Sequence, residues 1–225
     1  MVLRALIFDV DGTLAETEEI HRAAFNRAFA EDGLAWHWDV DLYRELLRVT
    51  GGKERIRRYL EMDVVAPALD DARIARLHAR KNQIYGETVR SGGCSLRPGV
   101  ADLVAAAHAA GLRLAIATTT SRPNVEALLA ATFADATANL FDPIVAGEDV
   151  VAKKPAPDAY LLAVEKLGLP PETCLALEDS LNGLTAARAA GLVTVVTPSL
   201  YTTHESFDGA ARVIPDLTAF DLADW

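Results

Sequence analysis

The second half of the chain alternates short apolar runs with helical segments, and this alternation restricts the fold more than any other feature. The runs "LRLAIAT", "FDPIVAG", "CLALED" and "LVTVVT" each follow a stretch with helical spacing. Strands separated by helices of about 10–15 residues pair in parallel through right-handed crossovers. Because the runs are almost entirely apolar, helices should cover both faces of the resulting sheet.

Between about residues 16 and 92 the pattern changes to helical spacing without strand-like alternation. The segment "ETEEIHRAAFNRAFAEDG" repeats apolar residues at three- and four-residue intervals and ends at Gly33. Three further helices are predicted over "VDLYRELLRVTGG", "KERIRRYLEM" and "DDARIARLHARKNQIYGETV". We therefore predict an α/β fold with a doubly wound parallel sheet. Its core comprises residues 1–15 and 93–225, and residues 16–92 form a helical insert that caps it.

Composition and charge narrow the classes of function. The 225 residues are 51% hydrophobic and 24% charged, which is ordinary for a globular protein. The sequence contains neither an apolar run of about 18 residues nor a signal-peptide pattern, so we expect no contact with a membrane. A net charge of -10 argues against nucleic acid as a partner. Cys94 and Cys174 are predicted to be reduced thiols, which favours the cytoplasm, or the plastid stroma if a transit peptide was removed.

Polar segments follow the predicted strands. They are "DVDG" at residues 9–12 after the first strand "LRALIF", "TTTS" at 118–121, "KKP" at 153–155 and "EDS" at 178–180. In a doubly wound sheet, ligands bind outside the carboxyl ends of the strands. We therefore expect four carboxylates, one or two lysines and several hydroxyls to meet at one edge of the sheet.

These side chains suit a site for a metal ion and a phosphate group. Asp9 and Asp11 would repel each other unless a positive charge lay between them. Oxygen ligands without cysteine or histidine are typical of Mg²⁺, which also binds substrate phosphate. Lys154 can neutralise a phosphate, and the Thr118 hydroxyl can donate a hydrogen bond to it. An aspartate can act as the nucleophile, and a turn at Gly12 would direct Asp11 back to serve as the general acid and base.

The segments "DVDGT", "ATTTS", "KKPAPD" and "LEDSLNG" resemble, in order and context, the four motifs of the haloacid dehalogenase (HAD) superfamily. The resemblance covers the whole chain. It implies a HAD-like Rossmannoid core and Mg²⁺ as the cofactor. It also implies phosphoryl transfer rather than dehalogenation, because dehalogenases of the superfamily lack the acid at position 11.

The same resemblance implies a role for each motif residue. Asp9 is the nucleophile and Asp11 the acid and base, while Thr118 and Lys154 hold the transferring phosphoryl group. The predicted metal site consists of Asp9, the backbone carbonyl of Asp11, and Asp179, with Glu178 close by. Lys153, next to the lysine that matches the motif, is interpreted as a solvated surface charge.

The helical insert resembles the cap of the β-phosphoglucomutase-like subgroup, which closes over small substrates. "TGGKERIRRYL" and "IATTTSRPNVEALL" further resemble sugar-bisphosphate phosphatases encoded with Calvin-cycle genes. That resemblance implies hydrolysis of xylulose-1,5-bisphosphate, an inhibitor of Rubisco, to xylulose 5-phosphate and phosphate. Rubisco would benefit from the reaction without being a physical partner. A phosphosugar mutase, a phosphatase for another phosphosugar and a non-catalytic phosphosugar-binding protein stay open as alternatives.

A sugar bisphosphate needs contacts beyond the four motifs, because its second phosphate requires a second positive site. The resemblance implies that these contacts come from the cap and from the loop after the second core strand. The candidate substrate-binding residues are Glu16, His21, Lys53, Arg55, Thr119, Thr120, Ser121 and Arg122. For Glu16 the alternative is a first-turn charge that favours the helix dipole, and for His21 it is an ordinary surface histidine.

Overall fold

The computed structural model describes residues 2–62, 69–133 and 139–225. Six strands form one parallel sheet in the order β3-β2-β1-β4-β5-β6. The strands are β1 (Ala5–Phe8), β2 (Arg113–Ala117), β3 (Phe141–Val145), β4 (Cys174–Glu178), β5 (Val193–Val196) and β6 (Arg212–Val213). The chain winds outward from β1 in both directions, so the predicted doubly wound parallel sheet is confirmed. Crevices at the carboxyl ends of such sheets are where ligands bind.

In the part of the chain that the structure describes, four helices lie within the insert and four more pack around the sheet. Those of the insert are α1 (Glu18–Glu31), α2 (Val40–Leu46), α3 (Gly52–Glu61) and α4 (Asp71–Arg90). The others are α5 (Val100–Ala109), α6 (Arg122–Thr132), α7 (Asp158–Leu167) and α8 (Leu181–Ala189). None of these helices in the described ranges combines the length and apolar character needed to span a bilayer.

Alternate residues of β1 face opposite sides of the sheet, as the pleat of a strand requires. Leu6 and Phe8 pack in one cluster with residues of α5 and α6, whereas Ala5 and Ile7 pack in another with residues of α7 and α8. All four side chains of β1 are fully buried. The apolar runs in the sequence therefore reflect burial on both faces of the sheet.

The helical insert has its own aromatic cluster, which includes Phe25, Phe29, Trp38 and Tyr43. Tyr201, from the loop after β5, also packs in this cluster and meets the Tyr43 ring edge-on. In addition, α1 and α4 contribute residues such as Tyr85 to the cluster on one face of the sheet. The insert therefore contacts the core through apolar side chains, and the domain boundaries at residues 15/16 and 92/93 stay a prediction.

Candidate active site

A cavity of about 440 Å³ lies between the carboxyl edge of the sheet and the helical insert. Residues from all four polar segments line it, and helices α1, α3 and α4 supply part of the opposite wall. From the sheet edge come Asp9, Asp11, Thr118, Lys154 and Asp179. The topology thus brings together side chains that are up to 170 positions apart in the sequence.

The turn after β1 directs Asp9 and Asp11 to different neighbours. The backbone N–H of Asp9 donates to the Leu177 carbonyl at 3.0 Å and so extends the pairing of β1 with β4. The chain then turns at Gly12, whose φ is +84°. A Cβ atom at this position would collide with the carboxylate of Asp179, so glycine is required by both conformation and space.

Asp9 belongs to a buried cluster of charged groups at the end of β1 and β4. The ammonium of Lys154 donates to Asp9 Oδ1 at 2.7 Å and to Glu178 Oε1 at 2.5 Å. The hydroxyl of Tyr160, on α7, donates to the same Glu178 oxygen at 2.6 Å. Asp179 is also buried and lies next to these groups. The cluster thus holds more negative than positive charge among the described residues.

Burial and the neighbouring negative charges raise the pKa of Asp9 and of Asp179. Burial, supported by the charges of Glu178 and Asp11 and opposed by Lys154, raises the pKa of Asp9 to about 8. Burial and the charges of Asp9 and Glu178 hold the pKa of Asp179 well above its ordinary value. A divalent cation would relieve both effects. One oxygen from each of Asp9, Glu178 and Asp179 lies within 4.8 Å of the others, so the residues fit a hard metal ion such as Mg²⁺.

Asp11 lies outside this cluster and faces the helical insert. Its Oδ1 atom accepts hydrogen bonds from the Thr17 hydroxyl at 2.5 Å and from His21 Nε2 at 3.0 Å. Burial opposes ionisation, but the interactions with His21 and Thr17 and the nearby charge of Lys81 hold the pKa of Asp11 at about 2. Two carboxylates only two residues apart therefore have opposite pKa shifts.

His21 connects Asp11 to a buried lysine on α4. The Lys81 ammonium lies 2.8 Å from His21 Nδ1, and the His21 ring stacks on Tyr85. Burial and the charge of Lys81 lower the pKa of His21, so we assign a neutral imidazole that accepts from Lys81 and donates from Nε2 to Asp11. Burial also lowers the pKa of Lys81, to about 7.

The buried contact of Lys81 was not predicted from the sequence, although a signal was present. The residue follows Ile74 and Leu77 and precedes Ile84 on the buried face of α4. A lysine is rarely buried without a partner, so its place on an apolar stripe indicated a specific contact. Asn82 and Asn124 were missed as well. Asn82 donates to the Ser121 hydroxyl at 3.3 Å, and Asn124 donates to Asn82 at 3.3 Å, all at the cavity wall.

Most of the remaining candidate residues line the cavity. Thr118 is almost fully buried, and its hydroxyl oxygen accepts from the backbone N–H of Thr120 at 3.2 Å. The residues that line the same cavity also include Lys53, Arg55, Thr119, Thr120 and Ser121. The guanidinium of Arg55, however, donates to the Tyr43 hydroxyl at 3.1 Å and to the Leu46 carbonyl at 3.3 Å. Two of its N–H donors are thus used inside the helical insert.

Glu16 and Arg122 are not among the described residues that line the cavity, and their role as substrate contacts stays a prediction. Glu16 forms an ion pair with Arg97 at 3.2 Å. Arg122 donates to Asp149 Oδ2 at 2.5 Å and to the Ile144 carbonyl at 3.0 Å. Each side chain thus has a partner in the core in this structure.

Lys153 also differs from its interpretation as a solvated charge. Its ammonium donates to Glu54 Oε2, on α3, at 3.1 Å, and the residue lines the cavity. The ion pair joins the loop after β3 to the helical insert.

A protein-family comparison agrees with this geometry. Residues 3–191 match the family model of the haloacid dehalogenase-like hydrolases. The chain belongs to this family. The predictions of the family, of its fold and of a hydrolase are therefore confirmed.

Relatives of this hydrolase match it over nearly its whole length. Protein CbbY of Rhodobacter capsulatus is 58% identical over 219 residues, which are 97% of this chain and 96% of the relative. Among solved structures, CbbY from Rhodobacter sphaeroides in complex with phosphate is 52% identical, with a TM-score of 0.92 and 96% of each chain covered. A mutant of the same protein in complex with xylulose-1,5-bisphosphate has a TM-score of 0.94 at 52% identity, with 98% of each chain covered.

Proposed function

We propose that this hydrolase is a Mg²⁺-dependent sugar-bisphosphate phosphatase that converts xylulose-1,5-bisphosphate to xylulose 5-phosphate and phosphate. One observation carries the reaction type: two carboxylates line one cavity with different partners, Asp9 beside the Lys154 ammonium and Asp11 beside His21. A nucleophile and a separate acid and base are what phosphate-ester hydrolysis through an aspartyl-phosphate requires. The bisphosphate complex of the CbbY relative, at 52% identity, supports the substrate.

Asp9 is the proposed nucleophile. Its carboxylate oxygen attacks the phosphorus atom, the bond from phosphorus to the sugar oxygen breaks, and Asp11 gives a proton to that oxygen. Water then attacks the aspartyl-phosphate while Asp11 takes up a proton, and phosphate leaves. Asp11 is a carboxylate before substrate binds, and the negative charge of an incoming phosphate raises its pKa toward the protonated form that the first step needs.

Asp9, Asp179 and Glu178, together with the backbone carbonyl of Asp11, are the proposed holders of Mg²⁺. When bound, the ion supplies positive charge that stabilises the transferring phosphoryl group. Lys154 supplies further positive charge from the protein itself, and the buried Thr118 hydroxyl donates a hydrogen bond. Fixed charges in a cavity with little water stabilise the transition state without reorganisation.

Residues 16–92 are the proposed cap that closes over the substrate. Polar contacts link this insert to the core near the sheet edge, among them Lys153 with Glu54, Asn182 of α8 with Thr50, and Asn82 with Ser121. Closure would exclude water until the aspartyl-phosphate has formed. We place the reaction in the cytoplasm, because Cys94 and Cys174 are free thiols. The proposed link to Rubisco is functional, through removal of an inhibitor.

The test compares the parent chain with Asp9→Asn on a panel of sugar phosphates, with and without Mg²⁺, by measuring released phosphate. The parent should release phosphate from xylulose-1,5-bisphosphate in the presence of Mg²⁺ and prefer it to ribulose-1,5-bisphosphate, and Asp9→Asn should be inactive. No phosphate release from any substrate, or equal activity of the variant, would overturn the mechanism. Isomer formation without phosphate release would instead indicate a phosphosugar mutase.

A further inference from the structure

Lys153 and Lys154 are consecutive residues that reach different parts of the same cavity. Lys154 lies buried among the carboxylates at the end of β1 and β4. Lys153 is held 3.1 Å from Glu54 of α3, and its side chain is 24% exposed. The chain thus presents two cations to one cavity, one at the proposed reaction centre and one at the wall formed by the insert.

The loop before α3 leaves space for the Lys153 ammonium. Gly51 has a φ of +99°, and a Cβ atom at this position would collide with both Glu54 and Lys153. A side chain there would displace the ion pair. Glycine therefore lets the loop approach Lys153 closely, and Glu54 keeps the ammonium at the cavity wall.

Other charges increase the positive potential at this wall. Lys53 and His78 line the cavity near Lys153. Burial, together with the charges of Lys81, Lys53 and Lys153, lowers the pKa of His78 to about 3. His78 is therefore neutral at physiological pH, and the lysines carry the positive charge of this region.

The arginines among the described lining residues, Arg44, Arg48 and Arg55, each use donors on partners within the insert. Lys153 makes one contact with Glu54, and an ammonium has three N–H donors. Donors of Lys153 thus remain for a ligand in the cavity.

We propose that Lys153 is a specificity-determining residue that binds the second, non-reacting phosphate of the substrate, with Glu54 orienting its ammonium. This proposal rests on the proposed sugar-bisphosphate phosphatase function. The second phosphate would thus bind to Lys153, a residue of the core, and the reacting phosphate to Lys154, the next residue in the chain. Closure of the insert would then complete both phosphate sites at once.

The experiment measures kcat/KM for xylulose-1,5-bisphosphate and for p-nitrophenyl phosphate, which has no second phosphate. In Lys153→Met the ratio of the two values should fall roughly 10- to 100-fold, as for loss of one charge-assisted hydrogen bond. Most of the loss should appear as a higher KM for the bisphosphate. Lys153→Arg should recover part of the ratio, and Lys166→Met, at a surface lysine remote from the cavity, should keep it.

Glu54→Gln distinguishes a role of Lys153 in substrate binding from a purely structural role of its ion pair between insert and core. This variant breaks the ion pair but keeps the Lys153 ammonium, so its ratio should fall much less than that of Lys153→Met. An unchanged ratio in Lys153→Met, or equal losses in the two variants, would overturn the inference while leaving the phosphatase function intact. Absence of bisphosphate hydrolysis in the parent would instead overturn the proposed function, and this inference with it.

Discussion

The ammonium of Lys154 lies 2.7 Å from Asp9 Oδ1 and joins that carboxylate to Glu178, whose Oε1 atom is 2.5 Å away. All three side chains are at least nine-tenths buried. The lysine thus offsets part of the charge of a buried acidic cluster and directs its ammonium at the proposed nucleophile. The proposed catalytic role of Lys154 is therefore coupled to its structural role.

Lys154→Met tests both roles. We expect kcat/KM for the bisphosphate to fall by about 10²–10³-fold or more, because a fixed positive charge at the phosphoryl group is lost. Without Mg²⁺, the free energy of unfolding should fall by about 3–5 kcal/mol, because buried carboxylates lose their partner. Steady-state kinetics and urea denaturation measure the two effects. Activity within threefold of the parent would show that Lys154 does not contact the phosphoryl group.

The dependence of Mg²⁺ binding on pH follows from the pKa of Asp9. Burial raises this pKa to about 8, well above the unfolded value of 3.8. The metal-free folded state therefore binds a proton that the unfolded state has lost, so this stabilisation is lost as the pH rises through about 8. Mg²⁺ needs ionised carboxylates and should bind more tightly at pH 8 than at pH 6.

Calorimetric titration with Mg²⁺ at both pH values, in buffers of different ionisation enthalpy, measures affinity and released protons together. We expect proton release at pH 6 and a larger rise in melting temperature on adding Mg²⁺ at pH 8 than at pH 6. Chelation with EDTA should remove this rise. Equal affinity at the two pH values, without proton release, would contradict the assigned shift.

The core part of the site was predictable from sequence because strand pairing brings its residues together. Each apolar run ends in a polar segment, and the parallel order of the strands places Asp9, Thr118, Lys154 and Asp179 at one edge. No detailed side-chain geometry is needed for that inference. The two-residue strand β6 was missed because both residues are exposed and carry no apolar run.

The contacts of long charged side chains were not predictable in the same way. Arg122 donates to Asp149, which lies 27 positions away in the chain, and Lys153 donates to Glu54, which lies 99 positions away. Lys81 is buried because His21, 60 positions away, accepts from it. The direction of such a side chain depends on which neighbour the packed helices present, and a one-dimensional pattern does not contain that information.

Lys81 should make stability depend on pH in the opposite sense to Asp9. Burial lowers its pKa from 10.5 to about 7, so between these values the unfolded state binds more protons than the folded state. Stability of the parent should therefore rise with pH across this window. Lys81→Met removes this contribution, which is on the order of 5 kcal/mol at most.

Urea denaturation at pH 6.5, 8 and 9.5 measures the difference in free energy of unfolding between Lys81→Met and the parent. These values cover about three pH units over which the protonation of Lys81 differs between the folded and unfolded states. Relative to the parent, the variant should be most stabilised at the lowest pH, and the advantage should shrink as the pH rises. Arg76→Met, at an exposed position on the same helix, serves as a control whose difference from the parent stays constant. A constant difference for Lys81→Met too would contradict a lysine that titrates near neutrality.

Tyr160→Phe tests whether the hydroxyl that donates to Glu178 contributes to kcat/KM. The hydroxyl donates to Glu178 Oε1 at 2.6 Å, and the ring lies beneath the Lys154 ammonium, 4.7 Å from its centroid. Phenylalanine keeps the ring and removes one of the hydrogen bonds that orient Glu178. We expect kcat/KM to fall about tenfold, because a hydrogen bond to a charged group contributes roughly 1.5–3 kcal/mol and part is regained by relaxation.

The matched control is Tyr59→Phe, in the aromatic cluster of the insert, which removes a hydroxyl away from the cavity and should leave kcat/KM within twofold. Equal kinetics for the two variants would show that the Tyr160 hydroxyl is not needed to orient Glu178.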